Sequence, residues 1–227
     1  MSGLFVTATG TEIGKTFVTA ALARHWHRQG RAVGVLKPVV SGFDDSTKAE
    51  SDPAVLLRAL GRPVTDTGLA EIAPWQFQAP LSPDMAAARE GRAIDVPALV
   101  GFCRQATVAA EADPLLIEGV GGAMVPLTDR ETVLDWMAAL GLPVLLVAGS
   151  YLGTISHILT TLLALHGARL EVRAIVLSET PGSTVPLEET RATVARFTGA
   201  VPVLVLPRGG PEGDPDAVAR IAAAAGL

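Results

Sequence analysis

The sequence has a single cysteine, Cys103, so no disulfide can close within the chain. Cys103 sits in an apolar stretch over residues 99–106 and reads as a buried thiol rather than a nucleophile. Nothing in the chain asks for an oxidising compartment. Basic runs are also missing. Eighteen Lys and Arg are interspersed with 23 Asp and Glu for a net charge of −5, which lacks the basic patch of a nucleic-acid-binding surface. No apolar run reaches bilayer-spanning length without a charge, glycine or proline, and the apolar stretch at 140–150 is short enough to be a core strand. The first ten residues lack the charged segment and long apolar core of a secretory signal. These absences predict a cytoplasmic protein with neither nucleic acid nor membrane as partner. Aromatic residues make up only 4% of the chain, and Trp26, Trp75 and Trp136 read as packing residues rather than a base-stacking platform. His25, His27, His157 and His166 fall on helical segments without metal-ligand spacing. There is no internal repeat, low-complexity tract or linker, so residues 1–227 read as one domain.

What the chain does have is Ala, Val, Leu and Gly. Hydrophobic residues make up 49% of it, a mix that suits short buried strands under Ala-rich helices. Residues 4–7 form an apolar run ended by Gly10, and helical spacing follows over 15–28, where Val18, Leu22 and Trp26 recur every four residues. Gly30 stops that helix, and 32–37 is a second apolar run. Strand, glycine loop, helix, strand is a βαβ unit and implies a parallel sheet. The alternation continues. Strands are expected at 115–117, 143–148, 172–177 and 203–206, and helices from 96 and over 131–140, 154–166, 187–197 and 215–225. Residues 39–83 look irregular, rich in Pro, Gly, Ser and Asp, with one helix near 53–60. A long irregular segment after a strand is a candidate binding loop.

The strongest motif is Ala8-Thr9-Gly10-Thr11-Glu12-Ile13-Gly14-Lys15-Thr16, lying between the first strand and the first helix. Small residues there let backbone N–H groups surround phosphate oxygens, and the helix adds its positive end. Lys15 can reach the β- and γ-phosphates, and the Thr16 hydroxyl can bind magnesium. Thr9 stands where the common pattern has glycine. The expected fold is therefore α/β, a single-domain P-loop three-layer sandwich with a mostly parallel central sheet and helices on both faces. Glu118 ends the strand at 115–117 ahead of Gly121-Gly122, a place from which P-loop enzymes hold magnesium. Asp52 precedes Pro53 and reads either as a helix cap or as a second magnesium ligand. Lys37 ends a buried strand and either reaches solvent or points into the ligand crevice.

Taken in order, Thr11-Glu12-x-Gly-Lys-Thr, Lys37-Pro-Val-x-Ser41-Gly, Ser51-Asp52, Ser82-Pro83, Glu90-Gly-Arg, Glu118-Gly-x-Gly-Gly, Leu152-Gly-Thr-Ile-Ser-His157 and Leu206-Pro207 resemble the dethiobiotin synthetase family. The resemblance runs from about residue 4 to about 207. It implies an ATP- and Mg2+-dependent reaction of 7,8-diaminononanoate with CO2 or bicarbonate. A carbamate forms on one amine, is phosphorylated by ATP, and is closed to a ureido ring by the second amine. It also implies roles. Lys15 and Lys37 would stabilise phosphoryl and carbamate charge, and Thr11 and Ser41 would bind the carbamate or amines. Thr16, Asp52 and Glu118 would surround the metal. Glu12, Ile13, Gly14, Phe17, Gly119, Ser178, Pro207, Arg208 and Gly209 would join Lys15, Thr16 and Glu118 around the nucleotide. Relatives act as homodimers, which here implies a substrate tail held near Ser150 to Thr154 of the partner subunit. The chain departs from the family pattern at Ser178-Glu179, where Asn-Asp is common, at Tyr151 in place of a frequent lysine, and at Ala8 in place of a glycine. Two other readings fit the phosphate loop: a related ATP-dependent ligase for another carboxylate, or a P-loop switch such as a partitioning ATPase. The switch relatives carry an extra lysine early in the loop, which this chain lacks.

Overall fold

A computed structural model describes residues 3–111, 113–210 and 212–227. The chain opens with β1 (Gly3–Ala8), α1 (Lys15–Arg28) and β2 (Gly34–Leu36). All six residues of β1 are buried, as a strand covered on both faces requires. Next come β3 (Val39–Ser41), α2 (Asp52–Ala59), α3 (Asp66–Ile72), β4 (Trp75–Phe77), α4 (Pro83–Arg89) and α5 (Val96–Ala109). The regular alternation then resumes with β5 (Leu115–Glu118), α6 (Val133–Leu140), β6 (Val144–Gly149) and α7 (Thr154–Gly167). The chain closes with β7 (Val172–Ser178), α8 (Leu187–Ala195), β8 (Val203–Leu206) and α9 (Pro215–Ala225).

Among the described residues the main sheet has six strands in the order β2-β5-β1-β6-β7-β8, and every pairing in it is parallel. The crossover through α1 moves one way along the sheet, while those through α6, α7 and α8 move the other way. Right-handed crossovers therefore put these helices on opposite faces. The contacts agree: α1 packs on α2 and α9, whereas α5 packs on α6 and α7 on α8. One contiguous apolar core joins the layers, with Phe5 and Trp136 edge to face at 4.8 Å. That contact and the burial of Trp26 bear out the packing role of these tryptophans.

The stretch at 39–83 is more ordered than its composition suggests. Besides the expected helix α2 it holds α3 and a second, two-stranded parallel sheet, β3 with β4. The expectation of a single helix there is corrected. Lys37 N–H donates to the Ile72 carbonyl at 2.9 Å and Trp75 N–H to the Pro38 carbonyl at 3.0 Å. These bonds fasten the segment back onto the chain just after β2, at Lys37 and Pro38. No helix among the described residues is long and apolar enough to cross a membrane.

Candidate active site

The strands are parallel, so the loops after β1, β2, β5, β7 and β8 all open at one edge of the sheet. β1 lies between β5 and β6, and its loop emerges where the chain changes direction along the sheet, the usual site of a ligand crevice. Gly14 caps α1 with φ 99°, a left-handed conformation glycine adopts without strain. Glu12 holds φ 59°, which is unusual for a residue with a side chain. Together they curl the loop so that its amides face the cleft. Ile13 anchors the turn by burying its side chain in the core. The turn after β5 braces the loop from beside it. Gly119 N–H donates to the Val6 carbonyl at 2.9 Å, Ala123 N–H to the Ala8 carbonyl at 3.0 Å, and Gly122 packs on Gly10.

The resulting cleft is about 430 Å³ and is lined by Thr11, Glu12, Lys15, Thr16, Phe17, Lys37, Ser41, Asp52 and Arg208 among the anticipated residues. Gly14 lines it as well, as do three residues the sequence reading did not assign to the site: Val40, Val120 and Gly121. Gly121 belongs to the glycine-rich turn after Glu118 and could have been found from it. The two valines carry no chemical signal. Ile13, Glu118, Gly119, Ser178, Pro207 and Gly209 lie outside the lining, although Glu118 and the Gly119 carbonyl each meet Lys37 Nζ at 2.8 Å. Ser150 and Thr154 serve their own loop: Ser150 Oγ accepts from Thr180 N–H at 2.9 Å, and Thr154 Oγ1 donates to the Gly149 carbonyl at 2.6 Å.

At the heart of the cleft the Lys37 ammonium bridges two carboxylates, reaching Glu118 Oε1 at 2.8 Å and Asp52 Oδ2 at 3.2 Å. Glu118 is completely buried and Lys37 nearly so. Burial alone would depress the Lys37 ammonium, but the charges of Glu118 and Asp52 outweigh it and hold the group above the ordinary lysine value. Partial burial would raise the Asp52 carboxyl, yet Lys37 and the Thr16 hydroxyl hold it below the ordinary aspartate value. Lys15 has no such partner. Its ammonium donates to the Gly10 carbonyl at 3.1 Å, and burial followed by repulsion from Lys37 lowers its pKa from 10.5 to about 8. A cation held at this disadvantage waits for anionic oxygens. Asp52 and Lys37, each open to two readings from sequence, are thus brought into the cleft together.

Thr16 Oγ1 donates to Glu118 Oε1 at 2.7 Å, while Glu118 Oε2 is buried without a hydrogen-bond partner among the described residues. A buried carboxylate oxygen left bare is costly unless something fills its place. One hydroxyl, two carboxylates and phosphate oxygens form the donor set of a magnesium site, which rarely relies on protein ligands alone. The residues present therefore fit the metal. Beyond Ser41 a second hollow of about 240 Å³ shares Val40, Ser41 and Asp52 with the cleft and adds Thr47, Glu50 and Ser51. The Cys103 thiol is buried and pushed up to about 12 by that burial, as expected of an inert group. Two of the histidines have polar partners on or beside their own helices: His157 shares a 2.8 Å hydrogen bond with the Tyr151 hydroxyl, and His25 a 3.0 Å one with Gln29 Nε2.

The chain is similar to known proteins over most of its length. Residues 2–209 match the family model described as AAA domain. The ATP-dependent dethiobiotin synthetase BioD of Acidiphilium cryptum is 51% identical over 203 residues, 89% of this chain and 91% of that protein. The protein of the same name from Methylobacterium nodulans is 52% identical over 214 residues, 92% and 95% of the two chains. That of Caulobacter vibrioides NA1000 is 46% identical over 210 residues, 92% and 94%. Among solved structures, the MinD cell division protein of Aquifex aeolicus superposes with a TM-score of 0.55 at 12% identity, covering 99% of this chain and 95% of that one. At that identity the likeness speaks for the fold alone.

Proposed function

The chain belongs to the ATP-dependent dethiobiotin synthetase family, and from that premise we propose that residues 1–227 act as one ligase domain that carboxylates 7,8-diaminononanoate and closes its ureido ring with ATP. One amine of the diamine adds to CO2 and loses a proton, giving a carbamate. A carbamate oxygen attacks the γ-phosphorus, the bond to the bridging β–γ oxygen breaks, and ADP leaves. The second amine then attacks the carbamoyl carbon of the mixed anhydride, phosphate departs, and a proton is released as the ring closes.

Little covalent chemistry falls to the protein in such a sequence, so positioning and charge neutralisation dominate. Backbone amides from Glu12 to Gly14 and the Lys15 ammonium cradle the β- and γ-phosphates. Lys37 faces the charge that develops as the carbamate and γ-phosphate meet. Thr11 and Ser41 are placed to hydrogen-bond carbamate or amine. The hollow beyond Ser41 carries the carboxylates of Glu50 and Asp52, an environment suited to a diamine. Thr16, Asp52 and Glu118 would hold a magnesium ion, which supplies charge neutralisation on the phosphate oxygens. A homodimer is supported by the edge of the molecule around the cleft: Met124, after β5, is 58% exposed and Leu152, after β6, is 92% exposed. Such side chains at one edge suit an interface. In that dimer the substrate tail lies near residues 150–154 of the partner subunit. An ATP-consuming biosynthetic step belongs in the cytoplasm.

The observation that carries this reading is the Lys37 bridge between Glu118 and Asp52 beside the phosphate loop. It puts the second lysine of the cleft just after β2, between two carboxylates, rather than early in the phosphate loop where the switch relatives carry theirs. The test is direct. With the diamine, bicarbonate, ATP and magnesium, mass spectrometry is expected to show dethiobiotin in step with ADP, and omission of any one component to abolish it. ADP release that ignores the diamine and yields no dethiobiotin would sink the reading.

A further inference from the structure

The cleft gives a bound nucleotide a direction. Lys37, Glu118 and Asp52 mark the end where the γ-phosphate lies, so the base leaves at the opposite end, past Phe17 and Arg208. Ser178 stands at that end but is turned inward. It is completely buried, its hydroxyl has no hydrogen-bond partner among the described residues, and a Cβ on Gly14 would collide with it. The hydroxyl is packed behind the phosphate loop, out of the base's reach.

Arg208 stands in front of it. Its guanidinium carbon lies 4.4 Å from the centroid of the Phe17 ring, and Nη2 lies 3.3 Å from the point where a Gly14 Cβ would be. The group is tethered as well as stacked. Arg208 N–H donates to Glu179 Oε2 at 2.8 Å, and Nε donates to the Glu179 carbonyl at 3.2 Å. The terminal Nη groups have no hydrogen-bond partner among the described residues. The mouth of the base pocket therefore presents a planar, pre-oriented group that can only donate.

A donor-only fork does not treat all purines alike. Guanine and hypoxanthine offer two acceptors side by side, O6 and N7, which an arginine engages with two bonds. Adenine offers N7 beside an amino group, itself a donor, so one bond at most forms. Resting on the synthetase reading only for the direction of the triphosphate, we propose that Arg208 reads the nucleobase, stacked over Phe17, so that the site accepts purines with an acceptor at position 6 at least as well as adenine.

Inosine and adenosine diphosphates differ only at position 6 and at the neighbouring N1, and share N7, the ribose and the diphosphate. Calorimetric titration of the full-length protein with magnesium and ADP, IDP or GDP measures the preference without chemistry. Wild type is expected to bind IDP and GDP no more weakly than ADP. Arg208→Ala is expected to lose about tenfold in IDP affinity, within the range an arginine–purine fork discriminates, and less than about threefold in ADP affinity. Arg208→Met keeps a long stem over Phe17 without any donor and is expected to show the alanine variant's IDP-to-ADP ratio. Unchanged melting temperatures establish that both variants fold. An IDP-to-ADP ratio equal in all three proteins, or a wild type that binds ADP more tightly than IDP, overturns the proposal. Dethiobiotin formation with ATP is measured in the same preparations. Its absence strikes the proposed reaction alone, and an unmoved ratio strikes the role of Arg208 alone.

Discussion

Lys15 and Lys37 bring the same charge into one cleft, and their surroundings treat it in opposite ways. Lys37 is held by Glu118 and Asp52, so its removal leaves a completely buried carboxylate without its cation. Breaking one side of a buried pair costs about 3–5 kcal/mol, so Lys37→Met is expected to lower the melting temperature by at least about 6 °C. Lys15 is desolvated and repelled by Lys37. Lys15→Met is therefore expected to raise the melting temperature of the nucleotide-free protein, by about 2–4 °C for each ~1 kcal/mol relieved. Both variants lose turnover, by about a hundredfold or more. The Lys15 effect also has a pH signature. Below about pH 8 the folded and unfolded chains both hold the proton and the full penalty applies. Between about 8 and 10.5 the unfolded chain keeps a proton that the folded one has released, so stability rises with pH. Calorimetry from neutral pH upward should find the advantage of Lys15→Met shrinking across that window, and two melting shifts of the same sign would refute the contrast. The sequence made Lys15 legible because a glycine loop between strand and helix announces it. Lys37 and Asp52 were open to two readings each. Which one holds depends on β2 and α2 meeting beside Glu118, a tertiary fact that spacing does not carry.

At the scale of elements, the phosphate loop is held in shape by its neighbour. The turn after β5 sits so close that a Cβ on Gly122 would lie 3.1 Å from Gly10 N and 3.2 Å from Gly10 Cα. Those atoms are backbone and yield only if the loop moves by a few tenths of an ångström. Gly122→Ala is thus expected to weaken ADP binding about tenfold, because displaced donors lose much of what preorganisation supplies. Gly141 provides the contrast. It caps α6 at φ 66° with nothing within 4 Å of where a Cβ would lie, so Gly141→Ala should cost about 1 kcal/mol of stability and leave ADP affinity alone. Equal ADP affinities for wild type and Gly122→Ala by titration would remove the bracing role. The long helices α1 and α9, and the short apolar run of β8, lie over the residues that the apolar pattern marks. Helix α6 begins two residues later than expected because Thr132 forms a capping box with Asp135. Strands β3 and β4 escaped because each has three residues and finds its partner across more than thirty positions, too short for period and too distant for local signal.

For the molecule as a whole, strand order decides where everything must happen. With every strand of the main sheet parallel, all the loops that carry site residues gather at one edge, which also carries the exposed Met124 and Leu152. In the proposed dimer a second copy of the chain would cover Leu152 and close the open side of the hollow beyond Ser41. Light scattering is expected to give about twice the 23.4 kDa chain mass for wild type. Leu152→Glu puts charge into that contact and is expected to give the 23.4 kDa species. Leu152 lies outside the cleft lining, so ADP affinity should be unchanged in the variant while KM for the diamine rises about tenfold or more, as expected if binding energy comes from the neighbouring subunit. A wild type that remains monomeric at micromolar concentration, or a Leu152→Glu protein that is monomeric with an unaltered KM, would mean that each chain completes its substrate site alone.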